Sequence, residues 1–255
     1  MKNKFLVIIY THKKTFSRRK FLLEYYVNNL GCPVYFITGD KDIKHDNVLH
    51  IDFNESYDQL GLKTYLAFKQ ISKLKFNYLI KLNDDTLLNL DRFLKVDISK
   101  YHYIGKMESK GRESSTSHYF KCSNPFKLPK ASNETEYMEG GFVVLSRKAF
   151  KKIINTPKEH FINTPGNYSG EDQKIGEILQ REKKLNLNSK YSKYLNMDIT
   201  ENGISLHPIH ESLTKLLINK SFEEQLDVLC KNSHKNEYNL LDSLRNNISR
   251  AHCIN

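Results

Sequence analysis

Cysteine is scarce: Cys32, Cys122, Cys230 and Cys253 are the only four in 255 residues, and no two form a CxxC pair. That spacing argues against a zinc ribbon, and the count is low for a disulfide-built secreted domain. Free thiols in a reducing, cytoplasmic compartment are the simplest expectation. Long apolar runs are lacking too. The run Phe5–Tyr10 falls far short of the ~18 residues a membrane span requires, and no small-residue cleavage site follows it. No membrane anchor is therefore expected, although a basic face is compatible with peripheral contact at a membrane surface. Like charges are not gathered in blocks, and neither internal repeats nor low-complexity linkers occur, so global disorder is not expected.

Hydrophobic residues make up 39% of the chain, enough for a real core. The length fits one large domain or one and a half small ones. The formal net charge is +11. Such a charge attracts anions, whether nucleic acid, acidic head groups or a phosphorylated small molecule. The same lysine excess also arises from AT-rich coding DNA, and is then only a solvated surface.

Hydrophobic patterning gives an alternation of strands and helices. Residues 5–10 are a continuous, β-branched run of the kind a buried parallel strand shows. Residues 18–29 have helical spacing, with Gly31 placed to end the helix. Strands follow at 34–38, 48–51 and 78–82, and a helix spans 56–74 with Leu60, Tyr65, Phe68, Ile71 and Leu74 on its apolar face. A strand at 101–105, a polar stretch at 106–136, a strand at 142–145 and helices at 146–154 and 171–184 complete the main body. The pattern predicts an α/β fold with a mostly parallel sheet flanked by helices. Residues 211–255 read as a small helical appendage.

Ligands of such sheets bind beyond the carboxyl ends of the strands. The strand at 78–82 ends there in Asn83-Asp84-Asp85. Adjacent carboxylates at that place suit a hard divalent cation that neutralises a diphosphate leaving group. The competing reading is a surface turn in which Asp84 and Asp85 cap the next helix. Three further segments accompany the turn: Asp52-Phe53 with Ser56-Tyr57, Leu60 and Lys63-Thr64; Gly140-Gly141 with Leu145-Ser146; and Glu171-Asp172 with Gly176.

In order and spacing this set resembles the inverting β-1,3-glycosyltransferases of the galactosyltransferase/Fringe type, glycosyltransferase family 31, over about residues 5–210. The resemblance implies a GT-A fold, with a Rossmann-like nucleotide-sugar-binding half (residues 1–100) and an acceptor-binding half (101–210). It implies a UDP-sugar donor, a saccharide or glycolipid acceptor, and Mn²⁺ or Mg²⁺. On that likeness Asp85 is the direct metal ligand and Asp84 supports it. Asn83 stands where the family usually has Asp and contributes a hydrogen bond without charge. His207 is implied as a further metal ligand, with His210 as second choice. Asp172 is implied as the general base, held ionised by the N-terminus of its helix; a plain helix cap is the alternative. Arg18, Arg19, Lys63, Lys81, Glu139, Gly140, Gly141 and Glu171 are implied to line the donor site, with an ordinary salt bridge as the alternative for Lys63. The chain has no tryptophan, whereas family members often carry one at the end of the first helix, where Tyr25 and Tyr26 stand here. The expected activity is transfer of a hexose or N-acetylhexosamine in surface glycan or polysaccharide synthesis. Two other classes remain open from the residues alone: a metal-dependent phosphoryl or nucleotidyl transferase, and a basic nucleic-acid-binding protein. The first needs more converging carboxylates than the sequence offers, and the second needs a basic stripe with interleaved aromatics.

Overall fold

The computed structural model describes residues 5–13, 15–16, 26–27, 31–84, 86–88, 93–108, 135–163, 170–187 and 205–206. Strands β1 (Phe5–Tyr10), β2 (Val34–Thr38), β3 (Val48–His50), β4 (Tyr78–Asn83), β6 (Tyr103–Glu108), β7 (Tyr137–Ser146) and β8 (Lys184–Asn186) form one seven-stranded sheet in the order β3-β2-β1-β4-β7-β6-β8. Every pairing is parallel except those of β7, which runs antiparallel to both β4 and β6. A two-residue β5 (Leu87–Leu88) pairs antiparallel with β9 (Ser205–Leu206) in a small second sheet. The helices are α1 (Leu60–Ile71), α2 (Arg147–Asn155) and α3 (Glu171–Ile178).

Period-2 alternation explains why the central strands are apolar on both faces. Val7 and Ile9 of β1, Ile80 and Leu82 of β4, and Phe142 and Val144 of β7 pack on one side, with Phe36, Phe93 and Leu187. Leu6 and Ile8, Leu79, and Val143 and Leu145 point the other way, onto Ala67, Phe68 and Ile71 of α1, Phe150 and Ile153 of α2, and Ile175 of α3. Phe150 joins these layers, with ring centroids 5.2 Å from Phe68 and 5.0 Å from Phe76. Each such fully buried side chain contributes about 2 to 3 kcal/mol. Ser146 caps α2, its hydroxyl accepting from the Ala149 N–H at 3.2 Å, which is worth about 1 kcal/mol.

The α/β expectation is met, with informative differences. The helix expected at 56–74 begins as a 3-10 turn at Tyr57–Gln59 before α1. Its buried stripe runs through Thr64, Ala67, Phe68 and Ile71, while Leu60 and Tyr65 are only half-buried. The helix expected at 171–184 stops at Ile178, because the chain turns to pair Lys184–Asn186 with Tyr103–Gly105. β7 is longer than the four residues expected and begins at Tyr137. β6 reaches Glu108, into the polar stretch at 106–136. Gly31 has φ +56, the left-handed conformation of a helix-ending glycine. Most of the helix expected at 18–29, most of the 106–136 stretch and all of the 211–255 appendage lie outside the described residues.

Candidate active site

Two parallel strands, β1 and β4, end side by side, with Tyr10 opposite Asn83. Just beyond them the Asp84 N–H donates to the Tyr10 carbonyl at 3.1 Å. Asp84 is held further by hydroxyls from the β1 side. Its Oδ2 accepts from Thr11 Oγ1 at 2.7 Å and from Thr15 Oγ1 at 2.5 Å. The next turn is fixed from β7, where Thr86 Oγ1 donates to the Gly141 carbonyl at 2.9 Å. Tyr26, fully buried, donates to the Thr86 carbonyl at 3.2 Å. The Tyr26 phenol is thus tied to the chain just after Asp84.

Two buried lysines flank Tyr10. Lys81, on β4, is 1% exposed and lies 4.7 Å from the centroid of the Tyr10 ring. Its Nζ donates to Asn83 Oδ1 at 3.0 Å, to the Gly140 carbonyl at 2.5 Å and to Glu171 Oε1 at 3.2 Å. Lys63, on α1, donates to the Thr11 carbonyl at 2.9 Å and to both Glu55 oxygens at 2.8 and 2.7 Å. Burial pulls the Lys63 ammonium below its usual value, and Glu55, Asp84 and Asp40 partly restore it. Glu55 accepts in addition from the Gly39 N–H at 2.7 Å. This carboxylate therefore joins the end of β2 to α1. No motif marks Glu55 or the Thr11–Thr15 pair, because their partners lie on other elements.

The N-terminus of α3 closes the far side. Gly170 is its N-cap, and its N–H donates to Gln173 Oε1 at 3.0 Å. Asp172 Oδ1 accepts from the Gln173 N–H at 2.9 Å. Burial, then the charge of Glu171, raise the Asp172 carboxyl from 3.8 to about 7, against the pull of the Gln173 N–H, Lys81 and the Gly140 N–H; the expectation that the helix N-terminus holds it firmly ionised is corrected, because burial outweighs the dipole. The missing Cβ of Gly140 matters here. A Cβ there would lie 2.8 Å from Glu171 Oε1 and 3.6 Å from Lys81 Nζ, so the space beside Gly140 belongs to the Glu171 carboxylate. Glu139 is one third exposed and pairs with Lys106 at 3.1 Å, which also reaches Glu108 at 3.3 Å.

The structure therefore brings together Lys63, Lys81, Asn83, Asp84, Gly140, Gly141, Glu171 and Asp172 at one end of the sheet. Arg18, Arg19, Asp85, His207 and His210 lie outside the described residues. Among the described residues, no group of three or more His, Cys, Asp or Glu side chains is placed to hold a metal ion.

The family model described as Galactosyltransferase matches residues 37–188, more than half of the chain. The chain belongs to the galactosyltransferase family.

This family member is a glycosyltransferase, built on the mostly parallel, helix-flanked α/β sheet that the sequence predicted. The phosphoryl-transfer and nucleic-acid-binding readings are set aside on that ground. The comparison with curated proteins found no match. Among solved structures, similarity extends to a glycosyltransferase involved in glycosylation of the major capsid of PBCV-1, with 12% identity, 89% of this chain and 98% of that one covered, and a TM-score of 0.45. The glycosyltransferase GlyE of Streptococcus pneumoniae TIGR4 gives 11% identity, 91% and 64% coverage, and 0.47. A Drosophila β1,4-galactosyltransferase 7 mutant in complex with manganese, UDP-Gal and xylobiose gives 13% identity, 58% and 51% coverage, and 0.34.

Proposed function

We propose that this glycosyltransferase moves a hexose or N-acetylhexosamine from a UDP-sugar to a saccharide hydroxyl, with inversion, and that Asp172 is its general base. The observation that carries the reading is the place of Asp172 in the first turn of α3, which the Lys81–Glu171 contact holds against the carboxyl end of β4; burial raises its carboxyl there. A base is most useful when its pKa lies near the working pH. In the proposed reaction the acceptor O–H gives its proton to the Asp172 carboxylate. The acceptor oxygen then forms its bond to the anomeric carbon, and the bond from that carbon to the diphosphate oxygen breaks with its electron pair leaving on UDP. Attack opposite the leaving group inverts the anomeric centre.

The acidic turn fits a divalent ion by its donor chemistry. Carboxylate oxygens suit Mn²⁺ and Mg²⁺, and imidazole is acceptable to Mn²⁺. Asp85 and His207 would hold the ion, with Asp84 in support. Asp84 is already oriented by the Thr11 and Thr15 hydroxyls, which favours the supporting role. When bound, such an ion supplies positive charge against the diphosphate leaving group. Arg18, Arg19 and Glu139 remain our candidates for lining the donor site. Membership of family 31, a β-1,3 linkage and a place in surface glycan or polysaccharide synthesis are the finer parts of the proposal. They rest on the ordered motifs around Asn83-Asp84-Asp85 and Glu171-Asp172. No helix among the described residues is long and apolar enough to cross a membrane. Action in the cytoplasm, with the basic surface near a membrane, is proposed from the low cysteine count and the net charge of +11.

Calorimetry of UDP binding with and without Mn²⁺, followed by transfer from a panel of UDP-sugars, tests the proposal. Metal-dependent UDP binding, a β-configured product and loss of at least about a hundredfold in rate in Asp172→Asn are expected. Undiminished transfer by Asp172→Asn, or a product of retained configuration, overturns it.

A further inference from the structure

Lys81 has no hydrogen left to offer a substrate. An ammonium group has three N–H donors, and those of Lys81 face Asn83 Oδ1, the Gly140 carbonyl and Glu171 Oε1. The Tyr10 ring covers it, and its side chain is 2% exposed. These partners come from the end of β4, from β7 and from the first turn of α3. The Gly140 carbonyl accepts from Lys81, and its N–H is among the groups that pull the Asp172 carboxyl down. Glu171, the other anchor of Lys81, is the chain neighbour of Asp172.

We infer that Lys81 is a positioning residue for Asp172: its buried ammonium fixes the Gly140 peptide and the Glu171 carboxylate, and so sets where α3 presents the base. The inference rests on the reading of Asp172 as the base, and it takes Lys81, Glu171 and Gly140 out of direct contact with the donor. Asn83 has a part in it. An Asp at that position would be a second anion competing for Lys81, whereas Asn accepts a hydrogen bond and leaves the cation to Glu171.

The other ionisable groups around α3 do not do the same work. Lys63 on α1 is engaged by Glu55, and Lys148 and Lys152 on α2 by Glu182. Glu139 on β7 pairs with Lys106. Glu177 on α3 lies beside His160 of the 3-10 turn at Lys158–Phe161. The Tyr103 phenol on β6 is raised by burial and Tyr137 stands near it on β7. Lys81 and Glu171 are thus the charges that act on Asp172, with opposite signs.

The test is a pH titration of the Asp172 carboxyl by carbon-13 NMR of aspartate-labelled protein, the resonance being assigned by its loss in Asp172→Asn. Lys81→Met is expected to move the titration upward by about one pH unit or more, and Glu171→Gln to move it downward. The double variant, which removes both charges and leaves neither buried alone, is expected near wild type. The acid limb of kcat/KM for transfer from UDP-galactose follows the same order, while the Kd for UDP with Mn²⁺ stays within about threefold of wild type. Glu171→Gln retains an acceptor for Lys81, so it reports even if Lys81→Met does not fold. An Asp172 titration that moves in none of the variants overturns the inference alone. So does a UDP Kd raised tenfold or more in Lys81→Met without movement of the titration, since Lys81 is then a donor ligand. Undiminished transfer by Asp172→Asn overturns the base reading, and this inference with it.

Discussion

Replacing Lys63 by methionine separates its two candidate roles, donor ligand and internal clamp. The Lys63 side chain is 3% exposed and that of Glu55 is 21% exposed, with 2.7 Å between Nζ and Oε2. All three ammonium hydrogens face Glu55 or the Thr11 carbonyl. Removing one partner of a buried ion pair costs about 3 to 5 kcal/mol. Glu55 keeps some water and the Gly39 N–H, which places the loss near the lower end, about 3 kcal/mol. For a domain of this size that is a fall in Tm of roughly 6 to 12 °C. Methionine matches the stem of lysine, so most of the packing is retained. Urea denaturation of Lys63→Met, Glu55→Gln and the double variant completes a cycle. The double variant should lose clearly less than the sum of the singles, because no charge is left stranded. Additive losses, or a Lys63→Met protein of wild-type stability that no longer binds UDP, would refute the clamp.

Two other perturbations test the remaining geometry. The Asp172 carboxyl is raised in the folded state, so the stability it contributes is fully present below about pH 4, declines as pH rises toward about 7 and is gone above that. Asp172→Asn should therefore melt higher than wild type at pH 8, with the advantage vanishing at pH 4; scanning calorimetry at both pH values checks the sign, and an equal advantage at both refutes it. Gly140→Ala places a Cβ 2.8 Å from Glu171 Oε1. It should loosen the Lys81–Glu171 pair, destabilise the protein by roughly 1 to 3 kcal/mol in urea and lower kcat/KM more than it changes the UDP Kd.

Much of the fold was legible because its signals are local. Phe5–Tyr10 and residues 34–37 are continuous apolar runs and residues 78–82 are apolar but for Lys81, and each belongs to a central or near-central strand. Ser146 announces α2 as a capping hydroxyl, and Glu171-Asp172 opens α3 with acid in its first turn. β8 was not legible: Lys184–Asn186 has no strand pattern of its own and extends only because it pairs with β6. The short β5–β9 pair was missed for the same reason.

The site divides along the same line. Residue type and order along the chain mark out Asn83-Asp84-Asp85, Gly140-Gly141 and Glu171-Asp172 as candidates for the chemistry. Which lysine meets which carboxylate is a matter of three-dimensional placement. Lys81 and Glu171 are 90 positions apart, and Thr11 and Asp84 are 73 apart. Sequence proximity carries no information about such pairs; strand register and helix docking decide them. The amino-acid sequence by itself determined the sheet's core strands and the family's motifs. Only the tertiary structure decided that two buried ammonium groups are saturated by internal partners, because hydrogen-bond saturation depends on distances between elements that meet only once the chain is folded.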